Sequence, residues 1–79
     1  MTSTSKRNSD VLVPVGTLII ESVIFGGKKR YVYHLVVRRA YHAHTISSGS
    51  DANVFWETYL PNELAYYEQF PETYKVILP

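Results

Sequence analysis

The chain contains no cysteine. That excludes a disulfide framework and any thiolate metal site, so apolar packing or a partner must hold the fold together. No apolar run approaches the roughly 18 residues that a membrane-spanning helix needs, which argues against a membrane partner. Phosphate-cradling glycine loops are missing too: Gly26-Gly27-Lys28 lacks the Walker spacing and the Ser/Thr that follows it. There is no nucleophile elbow, and Glu63 and Glu68, five apart, would not face together on a helix. These gaps point away from an enzyme and from any cofactor. Charge of one sign is also scarce, with eight Lys/Arg against seven Asp/Glu. A dense acidic mimic of nucleic acid is therefore disfavoured. A pI near 8.0 also falls short of the values above about 9 usual for nucleic-acid-binding domains.

What is present fits one small globular domain. A chain of 79 residues buries only about 60–65% of the surface its unfolded form exposes, so its core is thin. A hydrophobic fraction of 46% argues against disorder. Tyrosine is over-represented, with seven against three Phe and one Trp. Tyr favours half-buried strand positions and is also enriched at contact surfaces. Absence of cysteine fits a reducing compartment, and the expected location is cytoplasmic. Lys6 and Arg7 precede the charge-free residues 11–20, but Asp10, Pro14 and Gly16 do not suit a signal peptide. The small net charge hides an asymmetry. Residues 1–50 carry seven Lys/Arg and two acids, a net +5, whereas residues 51–79 carry five acids and one Lys, a net −4.

Along the chain, residues 1–10 read as a flexible polar tail and residues 11–79 as a single domain. Pro14 limits residues 11–15 to an edge strand at best, and Gly16 marks a bend. Residues 17–25 are rich in Ile, Val and Thr and predict a strand. Both its faces are apolar, Leu18, Ile20 and Ile24 against Ile19, Val23 and Phe25, which predicts cover on both sides. Gly26, Gly27, Lys28 and Lys29 predict a hairpin turn, and residues 30–39 the returning strand. Tyr31, Tyr33, Leu35 and Val37 share one face of it; Val32, His34, Val36 and Arg38 share the other. Strand character continues to Ile46 past a bend or bulge near Ala40. Residues 47–53 read as a loop and residues 54–59 as a strand. Pro61 suits a first helical turn, and residues 62–70 predict a short helix that stacks Leu60, Leu64 and Tyr67. Residues 73–78 close as a strand. The fold class is mostly β or α+β: an antiparallel sheet or barrel of four to five strands with one short helix in the C-terminal half. A small SH3-like or OB-like barrel and a sheet with a helix across one face are both compatible.

Three constellations could carry chemistry. His42 and His44, at i and i+2, would point the same way on a strand, so they are weak candidates for a metal. His34 lies eight residues from His42, too far to share an ion without a bend. Second, Lys28, Lys29 and Arg30 crowd the hairpin tip, and Arg38 and Arg39 lie at the far end of the same strand. With Tyr31 and Tyr33 beside them they could neutralise phosphates and stack bases. Third, the tyrosines and the divided charge suit a protein interface, because Trp, Tyr and Arg are common anchors. Helical phase leaves Tyr66 more exposed than Tyr67, while Trp56 reads as core. In size and texture, without a shared motif, the chain resembles the short phage proteins that disable host defence, inhibitors of CRISPR effector complexes among them. That resemblance implies a stoichiometric inhibitor that docks on its target. The expectation is a non-catalytic module that binds a protein or nucleoprotein through Lys28, Lys29, Arg30, Tyr31, Arg38, Arg39 and Tyr66, with nucleic-acid binding as the alternative.

Overall fold

The protein is described by a computed structural model covering residues 11–49 and 54–79. The tail, with Lys6 and Arg7, lies outside the described residues, as do residues 50–53 of the expected loop. Five strands and one helix follow in the order β1 (Leu18–Phe25), β2 (Lys28–Arg39), β3 (Ala43–Gly49), β4 (Phe55–Leu60), α1 (Leu64–Glu68) and β5 (Tyr74–Ile77). They form one antiparallel sheet in the order β4-β3-β2-β1-β5, and the helix falls on the connection between the two edge strands. Of the two architectures compatible with the sequence, this is the open sheet with a helix across one face.

The β1–β2 hairpin turns on two residues. Gly26 (φ 60°) and Gly27 (φ 75°) both occupy the left-handed region that the right-handed twist of a two-residue hairpin demands. Phe25 consequently pairs with Lys28, and β2 begins there rather than at Arg30. Pairing continues to Leu18 opposite Leu35. On its other side β2 pairs with β3, but the register slips between Val36 and Arg38. This β-bulge places two β2 residues opposite one β3 residue and reverses the side-chain alternation beyond it. Arg38 therefore sits across from His44, not on the face of His34 and Val36 as unbroken alternation requires. The chain then bends through residues 40–42, closed by the Ala40 amide donating to the His42 carbonyl at 3.0 Å. Ser47, Ser48 and Gly49 belong to β3 rather than to a loop.

The helix is shorter than its pattern suggests, and its start is displaced from Pro61 to Leu64. Residues 61–63 are extended because they pair with the N-terminal segment. Val13 N–H donates to the Asn62 carbonyl at 2.8 Å and Leu64 N–H to the Val11 carbonyl at 2.9 Å, flanking a bridge between Leu12 and Glu63. This tertiary pairing outweighs the local preference of proline for a first turn. It also pins residues 11–16 across the sheet, where Val13 becomes fully buried. Val13, Ile19, Val36, Ala43 and Tyr67 form the buried apolar core among the described residues, with Leu60, Tyr66, Tyr74 and Val76 packed around them. The Tyr67 hydroxyl donates to the Pro61 carbonyl, tying the helix back to its own entry.

Candidate functional site

Strand register assigns every side chain to one of two faces, because residues directly opposite in an antiparallel pair point the same way. The face beneath α1 carries Ile19, Glu21, His34, Val36, Thr45, Ser47, Thr58, Tyr74 and Val76. Much of it is polar, yet His34, Thr45 and Ser47 are buried. They satisfy one another. His34 Nε2 lies 2.9 Å from Glu21 Oε1, and Nδ1 lies 2.6 Å from Ser47 Oγ. Ser47 Oγ is in turn 2.9 Å from Thr58 Oγ1, and Thr45 Oγ1 donates to the Thr58 carbonyl at 3.1 Å. A carboxylate only accepts, so Nε2 carries the proton in the His34–Glu21 contact.

This row crosses four strands and has the order of a nucleophile, a base and an orienting acid. Sequence reasoning missed it, since its members lie 13, 13 and 11 residues apart along the chain. Only the register brings them together. Ser47 has no exposed surface, however, and a nucleophile has to reach a substrate carbon. As built, the row is a satisfied polar core, in which each buried group has the partner that burial requires.

The opposite face is inverted in character. One line of side chains across the sheet reads Glu57, Ile46, Leu35, Leu18 and Ile77; the next reads Phe55, Ser48, Tyr33, Ile20 and Lys75. No element described here covers it. Leu35 is 44% exposed, Val37 45%, Ile77 43% and Phe55 69%. The expectation that β1 is covered on both sides is thus corrected: Leu18 and Ile20 face outward with this open side. Two shallow depressions mark it. One, of about 370 Å³, is lined by residues including Val37, Arg38, His44, Ile46, Glu57 and Tyr59. The other, of about 340 Å³, is lined by residues including Ile20, Tyr31, Tyr33, Thr73 and Lys75.

A third surface is the end of the hairpin. The last β2 residue to pair with β3 is Val32, opposite Gly49, and the last β1 residue to pair with β5 is Glu21, opposite Tyr74. Beyond them, residues 23–30 continue as a ribbon with no third strand among the described residues. Ile24 and Phe25 are 73% and 70% exposed there, next to the exposed Lys28 and Lys29.

The residues singled out from the sequence do not form one patch. Lys28 and Lys29 stand at the ribbon tip, and Arg30 is half-buried on the helix side of the sheet. Tyr31 is 40% exposed on the open face. Arg38 joins that face through the bulge, while Arg39 points to the other. Ten residues of strand separate Lys28 from Arg38, about 33 Å. Tyr66 lies on α1 across the sheet, half-buried and edge-on to Tyr67 with ring centroids 5.2 Å apart. Trp56, read as core, is 42% exposed on the edge strand β4. The three histidines are dispersed: His42 falls in the bend, His44 packs edge-on against Tyr59 at 4.2 Å on the open face, and His34 is buried on the other. No group of three metal-ligating side chains occurs among the described residues.

Two tyrosines on the helix side are shifted. Burial raises Tyr74 to about 12, helped by the Tyr66 hydroxyl and by the charge of Glu21. Burial raises Tyr67 further, with Tyr74, Tyr66 and Glu21 adding to it. No helix among the described residues is long and apolar enough to cross a membrane. In comparisons with known proteins, no family model, no curated protein and no solved structure matches the chain.

Proposed function

We propose that this protein is a non-catalytic binding module that docks on a protein or nucleoprotein partner through its projecting basic ribbon. One observation carries the reading: on a hairpin end that packs on no other described strand, Ile24 is exposed beside Lys29 on one face of the ribbon and Phe25 beside Lys28 on the other. Exposed apolar side chains weaken solubility and add nothing to the core, whereas at an interface they supply the desolvated centre. The two lysines steer the ribbon toward an acidic surface, and Ile24 and Phe25 then hold it from its two faces. Tyr31, at the base of the ribbon, extends this contact onto the sheet. A site-blocking inhibitor needs no more than such a surface.

The alternative, a nucleic-acid binder, is favoured by Tyr31 and Tyr33 lying beside Lys75 around one depression, with Lys29 two residues along β2 on the same face as Tyr31. It is weaker because Leu18, Leu35 and Ile46 fill the middle of that face, and aliphatic side chains neither stack on bases nor meet phosphates.

The test is affinity capture with the full chain, followed by titration of the identified partner against ribbon variants. Phe25→Ala is expected to weaken binding at least tenfold with a modest salt dependence. A linear fall of log K with log salt, of slope near one per phosphate contact, and no effect of Phe25→Ala would support the nucleic-acid reading instead.

A further inference from the structure

We infer that a second copy of this chain covers the open face of the sheet, forming a symmetric two-layer sandwich. The inference uses a surface the ribbon does not, so it stands or falls separately from the proposed docking.

The face has the dimensions for it. Five strands at about 4.8 Å spacing span roughly 24 Å, and the six residues of β2 from Tyr33 to Arg38 add roughly 20 Å along the strands. That gives a plan area of roughly 500 Å². Side-chain relief raises it toward the ~800 Å² of accessible surface that each partner contributes to a standard interface. The centre, where Leu18, Leu35 and Ile46 lie, is aliphatic, and the charges sit toward the margins. This is the composition of an interface core with a polar rim.

The distribution of charge selects a second copy. Glu57 lies on the edge strand β4 and Lys75 on the opposite edge strand β5, in neighbouring lines across the face. A two-fold axis along the strands lays β4 of one copy over β5 of the other. Glu57 then approaches Lys75 of the second copy, and symmetry makes the contact twice, while the aliphatic centres meet face to face. Arg38, at the end of the face beside Glu57 in the same depression, keeps its guanidinium at the rim. Sheets stacked about 10 Å apart with strands within about 30° accommodate this arrangement. The same axis projects both ribbons from one end of the dimer, where they remain free to bind.

Sedimentation equilibrium of the full chain from 1 to 200 μM, about the range of ordinary homodimers, tests it. The 9.1 kDa chain is expected to approach twice its monomer mass across this range. Leu35→Lys should leave a monomer with the same circular dichroism. Glu57→Lys and Lys75→Glu alone should each weaken the dimer about tenfold, and the double swap should restore it. Phe25→Ala on the ribbon should change nothing. A wild-type monomer at the highest concentration, a larger assembly, or a dimer indifferent to both Leu35→Lys and the charge swaps would overturn the inference. The swaps keep the test valid should Leu35→Lys fail to fold.

Discussion

The two faces of this sheet have exchanged their expected characters. The covered face buries an imidazole, a serine and a threonine, while the open face exposes leucine, isoleucine, valine and tyrosine to solvent. In a two-layer domain the polar side normally meets water. Here polarity is tolerated inside because the Glu21–His34–Ser47–Thr58 row hydrogen-bonds along its whole length. Such a row contributes little net stability, but it fixes register, because a one-residue slip of any strand would separate its partners. The apolar side chains on the other face have no comparable role in folding. The comparison teaches that the fold concentrates its specificity on one face and leaves the other uncovered.

Several substitutions could break that division, and the largest effect is expected beneath the helix. Tyr67→Ala removes a fully buried ring that packs on the aromatic group and hydrogen-bonds Pro61. It should cost about 3–5 kcal/mol in urea unfolding. Tyr31→Ala on the open face should cost under about 1 kcal/mol in the same experiment at low protein concentration. Equal losses would remove the distinction between the faces. Next in size is His34→Ala, which leaves Glu21 without its imidazole and Ser47 with one partner fewer. A loss of about 1–3 kcal/mol is expected from groups left unsatisfied. His44→Ala, ten residues on and facing outward, should change stability by about 0.5 kcal/mol or less.

A smaller effect concerns alkaline pH. The folded state holds the protons of Tyr67 and Tyr74 more tightly than the unfolded chain, where a tyrosine titrates near 10.0. Their contribution is therefore complete below pH 10.0 and is lost as pH rises through 10.0 toward about 12, the value for Tyr74. Circular dichroism against pH should show unfolding in that window. Tyr74→Phe, which has no proton to lose, should move the midpoint upward. An unchanged midpoint would place the linkage elsewhere.

Much of this architecture is legible from residue order. The glycine pair between two β-rich runs specifies the hairpin, and alternation assigns the faces of β1 and of β2 as far as Val36. The bulge after Val36 has no residue signature, because no glycine or proline marks it, and it carries Arg38 to the other side. Alternation also cannot say which of two apolar faces the helix will cover. That choice follows from Val13 and Tyr67 packing beneath the residue 61–63 crossover, a long-range contact. The Glu21–His34–Ser47 row is invisible for a related reason: single polar residues on three strands look like an exposed face until the register aligns them. The lysines at Lys28 and Lys29 are placed at the apex by the turn alone, whereas the exposure of Ile24 and Phe25 depends on where β3 and β5 stop.

Leu35 and Val36 are neighbours on the central strand and point to opposite faces, so they test the division most directly. Lysine at each position, followed by thermal unfolding at sub-micromolar protein, compares the two sides within one residue. The account predicts that Leu35→Lys keeps the native dichroism and nearly the wild-type midpoint, while Val36→Lys, a charge placed in the sealed core, does not fold. Two variants that unfold alike would contradict it, since the outward side would then be part of what holds the domain together.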